Sequence, residues 1–123
     1  MRKLILLMLL AMVSSGAAQA YPTRSVRLVV PAAPGGAIDV FGRMMAPKMS
    51  ESLGQNIVVD NRTGANNIIG TEIVARSPAD GYTVLIISGA HAINPSIYAK
   101  LPYDSVRDFA PVTMFASGPA LLV

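Results

Sequence analysis

Residues 28–39, Leu28-Val29-Val30-Pro31-Ala32-Ala33-Pro34-Gly35-Gly36-Ala37-Ile38-Asp39, constrain the fold more than any other stretch of this chain. Three consecutive apolar residues, two of them β-branched, predict a short strand buried on both faces. Pro31 and Pro34 end it, because proline has a fixed φ and no N–H to give to a ladder. Gly35-Gly36 then permits positive φ and close approach to the backbone. Asp39 follows at a helix start. Strand, glycine turn and helix N-terminus together gather unpaired N–H groups at one point and can aim them at an anion. An ordinary βα turn would look the same, so the rest of the chain has to decide.

Residues 1–20 read as a signal peptide. Arg2 and Lys3 form a positive start, Leu4 to Val13 is an unbroken apolar run, and Ala18-Gln19-Ala20 is an A-x-A cleavage site that leaves Tyr21 as the mature N-terminus. The apolar run is shorter than the roughly twenty residues that a transmembrane anchor needs. The expected location is therefore the periplasm. Without Arg2 and Lys3, eight basic residues face seven acidic ones, a net charge of +1. No basic cluster follows residue 20, so nucleic acid is not an expected partner. The absence of cysteine excludes disulfides, thiol catalysis and thiolate metal sites.

Taken in order, Ser25 to Pro31 is the first strand. Ala37 to Leu53 has helical spacing, with Ile38, Phe41, Met44, Met45, Met49 and Leu53 on one apolar face. Pro47 lies inside that pattern and predicts a kink or break near Ala46. Gly54 closes the helix as a left-handed cap. Ile57-Val58-Val59 predicts a second buried strand, followed by a turn-rich stretch to Asn67 and a helix from Ile68 to about Arg76. Tyr82 to Ile87 predicts a third strand, and a short helical piece runs to Lys100. The pattern is βαβαβα, and right-handed crossovers would bring every glycine-bearing loop to the carboxyl edge of one parallel sheet, where open α/β folds bind ligands. Phe109 to Phe115 predicts a fourth strand and Ala120 to Val123 the start of a fifth. The chain stops in an apolar run, which reads as the front part of a longer protein.

Catalysis finds little support. His91 is the only histidine, and neither a nucleophile elbow nor a phosphate-binding or dinucleotide-binding motif is present. His91 and Asp39 make a poor metal set. No catalytic residue, metal or cofactor is expected. Three small or polar loops remain: Pro34 to Ala37, Gly64 to Asn67 and Ser88 to His91. They suit a carboxylate or phosphate held by main-chain N–H groups and a hydroxyl. Asp39 argues against direct anion contact at the first loop and is expected instead to cap its helix and complete the loop's hydrogen bonds.

The motifs APGGAID (33–39), LGQNIVVDNRTG (53–64), DGYT (80–83) and HAINPSIYAKLPYD (91–104) give the chain a resemblance over residues 21–123. It resembles the substrate-binding proteins of tripartite tricarboxylate transporters, the Bug-type extracytoplasmic receptors. The resemblance implies a type II periplasmic-binding-protein-like α/β fold with two lobes that close on the ligand. In this chain, residues 21–108 would be a parallel-sheet first lobe, incomplete here, and residues 109–123 a crossover toward the second. It implies a receptor for a di- or tricarboxylate or related organic acid, not an enzyme, serving membrane permease subunits and monomeric at full length. The ligand-binding residues carried over are Pro34, Gly35, Gly36, Ala37, Gly64, Ala65, Ser88, Gly89, Ala90 and His91, with Gly35 and Gly36 expected to give the amides. Ala32, Asn66-Asn67, Ala90 and Gly42 depart from the family pattern, which implies a looser pocket or a different acid.

Three other readings stay open. The receptor could present its ligand to a periplasmic signalling domain. A small hydrolase could use Ser88 or Ser96 with His91. A chain of one lobe could also have no activity, since residues 21–123 alone are expected to be poorly soluble and to bind no di- or tricarboxylate at micromolar concentration.

Overall fold

The strand and helix periods of the sequence alternate in space as they do along the chain. The computed structural model describes residues 20–117, so the signal-peptide reading and the strand expected from Ala120 lie outside the described residues. The elements are β1 (Val26–Val30), α1 (Ala37–Leu53), β2 (Ile57–Asn61), α2 (Ile68–Ala75), β3 (Thr83–Leu85) and α3 (Ala90–Ile97). The three strands are parallel in the order β2-β1-β3. Val26 pairs with Ile57 and Val30 with Asn61, while Arg27 pairs with Thr83 on the other side.

β1 is the central strand, and its burial explains its composition. Val26, Leu28 and Val30 face α1 and meet Ala46, Ile57 and Ile86 in the core, with Ile38, Met49 and Leu53 packed around them. Each fully buried Val, Leu or Ile among them contributes about 1.5–3 kcal/mol. Gly42 lets the helix lie close to the sheet, because a Cβ there would sit 3.3 Å from Val30 Cγ2. α2 packs against β3 and β1. Its Gly70 presses on Pro31 and on the Arg62 carbonyl.

Several expectations need correction. α1 runs unbroken through Pro47, which is exposed, so the carbonyl freed one turn earlier can turn to water. Phe41 and Met44 stay exposed, because the buried stripe of α1 follows Ile38, Gly42, Ala46, Met49 and Leu53. β2 is not buried on both faces: it is an edge strand, and Val58 is 52% exposed. β3 has three residues rather than six, although the Tyr82 carbonyl still accepts from the Arg27 amide and the Ile86 amide still donates to the Val29 carbonyl. The Tyr82 hydroxyl accepts from the Thr23 amide. α3 stops at Ile97, short of Lys100. Phe109 to Phe115 forms no strand, because among the described residues no strand is placed beside it. Its aromatic ends pack elsewhere, Phe109 on His91 and Phe115 on Phe41.

Candidate functional site

All three strands point the same way, so the loops after β1, β2 and β3 collect at one edge of the sheet. The first loop is built around Asp39, which is 2% exposed. Gly35, at φ +82°, donates its N–H to Asp39 Oδ2 at 2.8 Å. Arg43 Nε donates to the same oxygen at 3.0 Å, and Asn61 Nδ2 donates to Oδ1 at 2.9 Å. Asn61 Nδ2 also reaches the Ala32 carbonyl, while Asn61 Oδ1 accepts from Arg43 Nη2. The Arg43 hydrogen bond, then the Gly35 amide and Asn61, hold the Asp39 carboxyl down at about 2 against the opposing effect of burial.

This network changes which amides can serve a ligand. Gly35 N–H is taken by Asp39, and Gly36 N–H is taken by the Ala33 carbonyl at 3.1 Å. The two amides singled out from the sequence are therefore already engaged. One step further on, the N–H groups of Ala37, Ile38 and Asp39 have no acceptor among the described residues, and Gly36 caps the helix without a side-chain bond. The first turn of α1 thus carries three unspent donors and the positive end of a helix dipole.

The second loop is held differently. Gly64, Ala65, Asn66 and Asn67 all have positive φ, at 129°, 45°, 50° and 72°. Asn66 Nδ2 donates to Asn94 Oδ1 at 2.7 Å, and Asn94 Nδ2 returns a bond to the Asn66 carbonyl at 3.0 Å. Asn94 is 1% exposed, so this exchange ties the second loop to α3. In the third loop, Ser88 Oγ lies 3.5 Å from the Ala90 amide, a weak bond at best. His91 Nε2 contacts the Ser105 carbonyl at 2.9 Å, its ring stacks on Tyr103, and Phe109 meets it edge-on. The ring thereby anchors residues 103–109. Neither Ser88 nor Ser96 is its hydrogen-bond partner.

Of the residues expected to bind ligand, Pro34, Gly35, Ala37, Gly64, Ala65, Ser88 and Gly89 are exposed at the loop tips, while Gly36, Ala90 and His91 are half-buried. The residues that join the loops were not among them. Asn61 links the first loop to β2, Gly70 wedges α2 against both, and Asn94 clasps the second loop. Among the described residues no group of three or more histidine or acidic side chains could hold a metal.

A parallel sheet that turns helix N-termini toward one edge defines the class: an α/β solute-binding lobe. The comparisons with known proteins go further. Residues 41–123 match the family model of the tripartite tricarboxylate transporter family receptor, and the chain belongs to that family. It is 48% identical over 104 residues to a UPF0065 protein in the tcbD-tcbE intergenic region of Pseudomonas sp. strain P51, covering 85% of this chain and 31% of that protein. Among solved structures it is similar to the periplasmic binding protein BugD (TM-score 0.72, 41% identity, 74% of this chain and 30% of that one). It is also similar to malate-bound MatC of Rhodopseudomonas palustris (TM-score 0.70, 35% identity, 75% and 32%). The chain spans about a third of the length of the curated relatives it matches. Family and neighbours are solute-binding receptors, and no helix among the described residues is long and apolar enough to cross a membrane.

Proposed function

We propose that the chain acts in the periplasm, after removal of residues 1–20, as part of a receptor for a di- or tricarboxylate or related organic acid. The receptor passes its ligand to the permease subunits of a tripartite tricarboxylate-type transporter. Residues 21–108 form one wall of the cleft, and residues 109–123 lead toward the other. The observation that carries this reading is the set of unpartnered amides at Ala37, Ile38 and Asp39, at the edge where the three loops end. A carboxylate seated there accepts those amides and gains from the helix dipole. Pro34, Gly35 and Gly36 shape its seat. Gly64 and Ala65 border the cleft mouth, and Ser88, Gly89, Ala90 and His91 border its third side.

No step of this work is catalytic. The malate held by MatC supports an acid of that class as ligand. A second wall is needed because each amide contact at an open site is worth only about 1 kcal/mol net. The ligand's lost freedom costs several times that.

Calorimetry with malate, on a receptor form that includes both lobes, tests the reading. Gly36→Val places side-chain atoms against the Ala33 carbonyl, 3.2 Å from an added Cβ, and displaces the first turn of α1. It should weaken binding more than His91→Ala. Equal or reversed losses would move the anion to another loop.

A further inference from the structure

β2 ends the sheet, and the register shows which of its groups are left over. The amide of Val26 bonds to the Asn56 carbonyl, and the Arg62 amide bonds to the Val30 carbonyl. The even-numbered residues of β2 therefore face β1, and Ile57, Val59 and Asn61 turn their backbone groups outward. The Ile57 N–H is covered by Ser50 Oγ at 2.9 Å. The N–H and C=O of Val59 have no partner among the described residues.

A shallow, open depression lies on each face of this strand. One, of about 390 Å³, is lined by Arg27, Val58, Val59, Asp60 and Arg62. The other, of about 380 Å³, lies against α1 and is lined by Arg43, Ala46, Ser50, Ile57 and Val59. An open edge with room on both faces is what an added strand needs, because its alternate side chains fall on opposite faces. Charge decides what kind of strand fits. Asp60 lies between Arg27, whose Nε is 2.6 Å from Oδ2, and Arg62, whose Nε is 3.0 Å from Oδ1. Burial pushes the Asp60 carboxyl up, and the two guanidiniums more than offset it, so it stays ionised. Two guanidiniums on one carboxylate leave one positive charge and unused N–H groups, on side chains 37% and 50% exposed.

We propose that the free edge of β2 takes an extended, carboxylate-bearing segment of a partner protein by strand addition. Its backbone pairs with Val59, its acidic side chain meets Arg27 and Arg62 on one face, and its apolar neighbours lie along Ile57 and Val59 on the other. A second copy of this chain fits less well, since edge-to-edge pairing would bring like-charged clusters together.

The probe is a synthetic peptide of about six residues alternating valine and glutamate. On a receptor form that includes both lobes, it is compared with a lysine-for-glutamate version and with one N-methylated at alternate positions, using fluorescence anisotropy and amide hydrogen exchange. The glutamate peptide should bind at least about tenfold more tightly than the lysine peptide. It should also slow exchange at the Val59 amide and lose affinity on N-methylation or with Arg62→Glu. Equal binding of all three peptides, or no binding of the glutamate peptide, overturns the proposal. Protection of Val59 that rises with protein concentration and without peptide overturns it too, by assigning the edge to self-association.

Discussion

The loops after β1 and β2 occupy equivalent places, each joining a strand end to a helix start, yet they are held in unlike ways. Residues 31–36 need one positive φ, at a glycine, and are fixed by a charged group that satisfies its neighbours within one helical turn. Residues 62–67 carry four successive positive φ values, three of them at residues with side chains, and are fixed by a neutral amide exchange with Asn94. A left-handed residue other than glycine costs about 1–2 kcal/mol, though asparagine tolerates it better than alanine does. A typical hydrogen bond returns about 1 kcal/mol net. The first loop is thus stabilised by its own network, whereas the second keeps its shape only while α3 holds it. Of the two, the second loop is therefore the one with more freedom to adjust.

The largest effect should come from the residue that touches both loops. A Cβ on Gly70 would lie 2.6 Å from the Arg62 carbonyl oxygen, 2.7 Å from Pro31 Cβ and 2.9 Å from Pro31 Cα. Backbone and a proline ring cannot swing away. Gly70→Ala should therefore cost about 3 kcal/mol in urea unfolding, at the upper end for overpacking. A loss near zero would show that α2 slides freely and does not couple the loops.

Next in size is a change that reaches only the first loop. Asp39→Asn removes the charge that Arg43 and the Gly35 amide depend on, and should lower the thermal midpoint by roughly 10 °C. The acid limb gives a sharper signature. With its folded value lowered from 3.8 to about 2, Asp39 contributes its full stabilisation above the unfolded value, and that contribution is lost as pH falls toward 2. The wild type should lose stability more steeply than Asp39→Asn across that range. Parallel acid limbs would mean that the carboxylate is not what holds the loop.

The contrast between the loops also explains what could be read from residues alone. The Leu28-Val29-Val30 run, the glycine turn and Gly54 act locally, so their places in the fold follow from spacing, and Gly54 is left-handed at φ 66°. Asp39 is legible for the same reason, since its main partners lie four residues away on either side. Asn94 meets Asn66 across 28 residues, and nothing near either one announces the other. Val58 and the stretch from Phe109 to Phe115 look like strand interiors, but whether they are buried depends on sheet order and on a neighbouring strand. Gly70 reads as an ordinary helical glycine until α2 is laid on Pro31. Which amides are free is equally a tertiary matter: Gly35 and Gly36 fit an anion site in sequence, and Asp39 and Ala33 claim them in space.

A change confined to the second loop should cost less. Asn94→Ala removes both the acceptor for Asn66 Nδ2 and the donor to the Asn66 carbonyl, a loss of about 1–2 kcal/mol. Hydrogen exchange should quicken at the Ile68 and Thr71 amides, which bond to the Ala65 and Asn67 carbonyls, and stay unchanged at Gly35. Faster exchange at Gly35 as well would show that the two loops form one unit.

The smallest effect is the most specific test of stored strain. Ala65 has φ 45°, where its Cβ is crowded, so Ala65→Gly relieves about 1 kcal/mol in the folded state. The glycine also gives the unfolded chain more freedom, which costs about 0.4–1 kcal/mol. The two nearly cancel, and the urea midpoint should barely move. Ala33→Gly makes the same chemical change in the first loop, where the alanine is not left-handed, so only the unfolded-state cost applies. The pair should therefore differ by about 1 kcal/mol, with the first-loop variant the less stable. Equal losses at the two positions would mean that Ala65 carries no strain, and that Asn94 fastens a loop already at rest.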